Sequence, residues 1–163
     1  MRNIRRKEKE IVDKKELLHI LRTAKYVTLA MSHEDNPYLV TLSHGYDIDK
    51  DCIYFHCAKE GKKIDILKKN NKIWGQALLD HGYVDGSCDH LYVTVQFKGT
   101  VEMIDDVEDK KHALTVMINQ QERDPEAVIK EQITESSLKR VGIGLISIHS
   151  MSGKKSKEVI ISL

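Results

Sequence analysis

From Leu91 to Met103 the chain alternates more strictly than anywhere else. Leu91, Val93, Val95, Phe97, Val101 and Met103 fall on one side of an extended segment. Tyr92, Thr94, Gln96, Lys98, Thr100 and Glu102 fall on the other. A period of two is the mark of a pleated strand, and the apolar side must be core. Gly99 is where so long a strand is expected to bend. The opposite face begins polar but uncharged, at Tyr92, Thr94 and Gln96, and so permits a partner to cover it.

Other segments read as companions of this strand. Tyr26–Met31 and Tyr38–Tyr46 are predicted strands joined through the turn His33–Pro37, which makes a hairpin. Cys52–Ala58, Lys72–Leu79 and Val141–Ile148 are further strands, and Val159–Ile161 is expected to pair last, after a turn over Ser150–Ser156. Asp80–Cys88 reads as a polar loop. Helices are predicted from Asp13 to near Ala24, opened by a capping box with Glu16, and from Asp105 or Asp106 with Leu114, Met117 and Ile118 inward. A further helical stretch runs from Pro125 toward Leu138. Gly142 and Gly144 lie in an apolar strand with no helix after them, so they mark a bulge or a close backbone contact and not a dinucleotide fingerprint. The fold class is mainly β, with peripheral helices: a small antiparallel barrel of six or seven strands.

The 163 residues fit one domain, 1–163, with a basic, solvated arm over residues 1–12 that carries Arg2, Arg5, Arg6, Lys7 and Lys9. A net charge of +1 argues against a nucleic-acid binder. No apolar run is long enough to span a bilayer, and no export signal opens the chain, so a cytoplasmic protein with no membrane partner is expected. Three cysteines, an odd number, fit reduced thiols.

The chemistry concentrates between Ile53 and Leu67. An aromatic-rich strand, Tyr54-Phe55-His56-Cys57-Ala58, meets Gly61, and Lys62-Lys63 opens a short amphipathic helix that ends near Asn70-Asn71. The free N–H groups and the dipole of a helix start attract anions, and two lysines add full charge. A phosphate on a small cofactor suits that corner. No Walker loop is present. The bland alternative is a solvated lysine run, which is how Lys59, Lys68 and Lys69 are read. Metal ligation is not expected: His56 and Cys57 are adjacent in a strand and point apart, and no paired-cysteine or His-Glu-x-x-His motif occurs.

Taken in order, these segments resemble the pyridoxamine-phosphate-oxidase-like split barrels that bind FMN, within them the nitroimidazole-resistance branch. The resemblance runs nearly end to end. It includes Arg5-Arg6, Pro37-Tyr38-Leu39-Val40, Gly45-Tyr46, Tyr54–Ala58 followed by Gly61-Lys62-Lys63, Tyr92-x-Thr94-Val95 with Gly99, and Gly153-Lys154. It implies FMN as cofactor and a homodimer with the flavin between subunits. Val40, Thr41, Leu42 and Ser43 would run along the isoalloxazine edge. His56, Cys57 and Ala58 would lie near the ribityl chain and phosphate, with Lys62 and Lys63 clamping the phosphate. Tyr92 and Thr94 would lie near cofactor and two-fold interface. Thr41, Ser43, His44 and Lys62 stand where the family has Pro, Asn, Phe and Arg, and Lys loses the bidentate fork of Arg.

The expected function is an FMN-dependent oxidoreductase of a small planar acceptor such as a nitroaromatic, with His56 as the candidate catalytic residue. Two alternatives stay open: a non-catalytic flavin-binding protein and a haem-binding split barrel.

Overall fold

The computed structural model describes residues 4–163; Arg2 of the basic arm lies outside the described residues. The elements run β1 (Glu10–Ile11), α1 (Lys14–Thr23), β2 (Tyr26–His33), β3 (Asn36–Asp47), β4 (Cys52–Ala58), α2 (Lys62–Lys69), β5 (Lys72–Val84), β6 (Asp89–Ile104), α3 (Val107–Gln121), α4 (Pro125–Gln132), α5 (Glu135–Arg140) and β7 (Val141–Lys155). The strand order is β1-β7-β4-β3-β2-β5-β6, and β6 returns to pair with β7. Six antiparallel strands thus close into a barrel, and β1 extends β7 at its edge. Closure leaves those six without a free edge, which a flat sheet of such long strands would expose.

The strict alternation of β6 becomes the barrel interior. Val93, Val95 and Phe97 are buried with Val27, Leu29, Phe55 and Ile146 in one core. The bend falls where glycine was expected: the β6–β7 register shifts between Lys98 and Gly99. A Cβ on Gly99 would stand 2.4 Å from the Ser147 carbonyl oxygen. A smaller cluster lies outside the barrel. Cys52 and Tyr54 of β4 and Ile143 of β7 pack there beneath Ala113 and Met117 of α3. β4 therefore feeds two cores by simple alternation, Ile53 and Phe55 inward and Cys52 and Tyr54 outward. Gly144 lets the Phe55 ring close in, since a Cβ would sit 2.2 Å from that ring.

Several boundaries differ from the sequence reading. Asn36 and Pro37 belong to β3, and the hairpin turns on Glu34 and Asp35 alone, at φ 50° and 60°. That is a two-residue turn with the twist that hairpins favour. The polar stretch from Asp80 is no loop. After an irregularity between Asp80 and Tyr83 the strand resumes, and Tyr83 and Val84 pair with His90 and Asp89. Backbone pairing decides this ribbon, so side-chain polarity could not reveal it. β7 likewise runs straight through Ser150–Lys155, paired on β6 and β1. Val159–Ile161 is not a strand; Val159 instead buries its side chain in the core. Thr134 and Ser137 form a capping box that divides the predicted long helix into α4 and α5. Asp13 caps α1 through Lys15 N at 2.8 Å, whereas Glu16 faces Lys155 at 3.9 Å. Part of the basic arm is also docked, with Ile11 buried and Lys7–Lys9 in a 3-10 turn.

Candidate functional site

β4 ends at Ala58, and α2 begins four residues later. Gly61 makes that corner at φ 117°, a left-handed value that favours glycine. α1, α3 and α5 each have a side chain on their first N–H groups, whereas no side chain caps α2 or α4. The first N–H groups of α2 are left without a side-chain acceptor at Lys62 and Lys63. Lys63 Nζ sits 5.8 Å from the centre of the Phe55 ring, and Lys62 Nζ 5.0 Å from that of Tyr38. Ile64, Ile66 and Leu67 bury the other side of α2, which holds the corner rigidly.

His56 points away from the barrel, as its alternation with Phe55 requires. It shares a cavity of about 370 Å³ with Ser43, Leu114, Met117, Ile118 and Val128. Burial, and then the neighbouring Lys63 charge, pull the His56 imidazole below the ordinary histidine value. Cys57 faces the barrel core, and burial pushes its thiol up despite Lys63. It behaves as a small apolar side chain there. Cys52 is likewise buried, with its thiol pushed up chiefly by desolvation.

β3 divides its residues between the two faces. Val40 and Leu42 lean against the core, so only their backbone is offered outward. Thr41 and Ser43 face out. Thr41 Oγ1 lies 3.0 Å from Thr28 Oγ1, and Thr28 is paired with Gln76. Gln76 Nε2 donates to Thr94 Oγ1 at 3.1 Å, and Thr94 donates to the Ala77 carbonyl at 2.9 Å. Two hydrogen-bonded polar pairs, Thr41–Thr28 and Gln76–Thr94, therefore lie side by side as a polar band across four strands. The end of that band lines a second cavity of about 530 Å³, with Thr28, Thr41, Gln76 and Leu78 in its wall. Tyr92 lies further along β6, with its backbone N–H bonded to Ser156 Oγ at 3.1 Å.

Around the band the outer sheet face carries uncovered apolar groups. Tyr26, Leu39, Trp74 and Leu78 are 56%, 66%, 39% and 51% exposed. Sequence reasoning missed Tyr26, Thr28, Trp74, Gln76 and Leu78 as site residues. Alternation within β2 and β5 would have placed them together, but only the strand order brings β2 and β5 between β3 and β6. His56 lies with Ser43 on one cavity and beside Lys63, whereas Lys62 reaches Tyr38 farther along β3; Thr41 and Thr94 lie on the adjoining outward face.

His44 stands apart from its neighbours. It faces inward and is fully buried, and its Nε2 donates to the Leu21 carbonyl at 2.7 Å. Its Nδ1 has no partner. Desolvation holds the ring below the ordinary histidine value, outweighing the bond to Leu21. It is therefore neutral and belongs to the core.

A closed six-stranded barrel with an uncapped basic corner and an outward sheet face defines a split barrel. The family model described as pyridoxamine 5′-phosphate oxidase matches residues 13–155. The chain belongs to that family. No curated protein matches the chain at a significant level. Among solved structures it is similar to a candidate 5-nitroimidazole antibiotic resistance protein from Bacteroides thetaiotaomicron. The identity is 27% and the TM-score 0.76, over 90% of this chain and 86% of that one. It also shares its fold with a flavocytochrome of Azotobacter vinelandii, at 16% identity and TM-score 0.79, over 94% and 72% of the two chains. A FAD and haem binding protein from Mycobacterium smegmatis has 16% identity and TM-score 0.77, over 95% and 77%. No described helix is long and apolar enough to cross a membrane.

Proposed function

We propose that this protein binds FMN and uses it to reduce a small planar acceptor such as a nitroaromatic compound. The observation that carries this reading is the uncapped start of α2, with Lys62 and Lys63, opening beside the outward face that holds His56, Ser43 and Thr41. The phosphate takes the corner, where N–H groups of Lys62 and Lys63 join their side-chain charges. The ring lies along β3, against the backbone of Val40–Ser43 and near Thr94.

Micromolar binding needs about 8 kcal/mol, and charged hydrogen bonds contribute roughly 1.5–3 kcal/mol each. Association entropy removes much of that sum, so ring burial must supply the balance. A second copy of the chain laid on Tyr26, Leu39, Trp74 and Leu78 provides that burial. We therefore assign a homodimer with the cofactor between subunits. Three free thiols suit a reducing cytoplasm.

When bound, the flavin supplies the electron or hydride transfer. This chain's own part is positioning. The cavity walled by Leu114, Ile118 and Val128 admits a flat apolar acceptor. His56, neutral at physiological pH, presents a hydrogen bond at its edge. The nitroimidazole-resistance relative at 27% identity favours a nitro compound as that acceptor. The test is the visible spectrum and bound-ligand mass of the purified protein. A yellow protein with stoichiometric FMN is expected. A colourless protein that takes up no added FMN, or one with a haem band instead, overturns the proposal.

A further inference from the structure

The two ammonium groups at the start of α2 each rest on an aromatic ring. Lys63 Nζ lies 5.8 Å from the centre of the Phe55 ring, and Lys62 Nζ 5.0 Å from that of Tyr38. Among the described residues neither lysine is ion-paired with a carboxylate. The Tyr38 ring is itself fixed. It is half-buried against the barrel core, and its backbone pairs with Met31 across the β2–β3 hairpin. Lys62 is exposed, so an unsupported side chain there would sample many rotamers. The negative face of the ring attracts the ammonium and removes much of that freedom.

We infer that Tyr38 is a positioning residue for the flavin phosphate, acting through Lys62. The inference rests on the phosphate reading of the α2 corner. An ammonium carries three N–H donors. The ring takes up one side of the group, and donors on the other side stay free for phosphate oxygens. A lysine already held in place gives up less rotamer freedom on binding, so affinity rises without any contact between Tyr38 and the cofactor. Lysine lacks the planar fork of arginine, which is why it gains from an outside support. Phe55 is fully buried, whereas Tyr38 is only half-buried, so Tyr38 is the ring that can be changed without opening the core.

The test is a fluorescence titration of the full chain with FMN, beside a proton–carbon correlation spectrum of the lysine-labelled protein without FMN. The ε-methylene protons of Lys62, assigned by their loss in Lys62→Ala, should be shifted upfield by the ring in the wild type and in Tyr38→Phe. In Tyr38→Leu they should return to the position of a free lysine. Tyr38→Leu should weaken FMN about two- to fivefold, and Tyr38→Phe, which keeps the ring, should stay within about twofold of the wild type. Adding Tyr38→Leu to Lys62→Ala should have no further effect, because the tyrosine acts only through the lysine. Unchanged FMN affinity in Tyr38→Leu beside a weakened Lys62→Ala would overturn the inference and spare the phosphate reading. Equal weakening by Tyr38→Leu with and without Lys62, or no upfield shift in the wild type, would do the same. The wild-type shift needs no Tyr38 variant, so the contact is tested even where Tyr38→Leu fails to fold. Lys62→Ala without effect on FMN would overturn the phosphate reading and the inference with it.

Discussion

His44 makes the protein's stability depend on pH in a way that one substitution can expose. Its ring is fully buried, Nε2–H is spent on the Leu21 carbonyl, and Nδ1 has no partner. A proton on Nδ1 would add a buried charge and a donor with nothing to accept it. The folded protein therefore keeps the ring neutral below the ordinary value of 6.5, whereas the unfolded chain takes up the proton there. The unfolded state then binds more protons, so stability falls as pH falls from that value toward the lower folded one. For a ring that stays neutral when folded, the loss between pH 7.5 and 5.5 is about 1.4 kcal/mol. His44→Phe removes the titrating group and restores the residue type of the resembling family. Gln120 Nε2, 3.3 Å from the Leu21 carbonyl, remains to donate to it. Urea denaturation of both proteins at the two pH values reads the effect. His56 titrates in the same direction and is present in both, so it cancels in the difference. The wild type should lose about 1.4 kcal/mol more than the variant on acidification. An equal loss in the two proteins would refute the assignment of a neutral, buried His44.

The remaining predictions concern the site and its support. Lys62→Ala and Lys63→Ala should each weaken FMN by about ten- to hundredfold in a fluorescence titration, while Lys68→Ala and Lys69→Ala change it little; equal effects from all four would remove the phosphate from this corner. His56→Ala should abolish turnover and spare FMN affinity, as measured by steady-state assay beside the same titration. Leu39→Lys places a charge on the exposed face and should shift the protein toward monomer in sedimentation velocity, with FMN affinity falling alongside. Gly45→Ala should cost about 1–3 kcal/mol in urea unfolding, because its Cβ would stand 2.7 Å from Met117 Cα and push α3 off the sheet.

Much of the barrel was legible because burial writes itself as a period. β4 and β6 occupy the segments their alternation predicted, extended by a few residues in β6. The strand-to-helix corner at Gly61 was legible too, since Gly61 and the lysines after it are local features. The ribbon over Asp80–His90 and the unbroken course of β7 past Gly153 were not. Their backbones are held by strands distant in the chain, and nothing in their own polarity records that pairing. His44 shows the same limit in one residue. Its neighbourhood reads as cofactor strand, yet its side chain turns inward and serves the core.

By itself the order of residues determined which side chains lie inward, where the chain turns from strand to helix, and that a basic helix start exists. Those properties depend on near neighbours and on a two-residue repeat. Tertiary structure decided which outward faces adjoin. Thr41 and Thr94 are far apart in sequence, and they share one outward face only because β2 and β5 lie between their strands, with Thr28 bonded to Thr41 and Gln76 to Thr94. The Asp47–His112 pair is of the same kind, since a helix must fold back across the barrel before the two side chains touch. Long-range contacts form when the whole core closes, so the sites built from them are properties of the closed barrel.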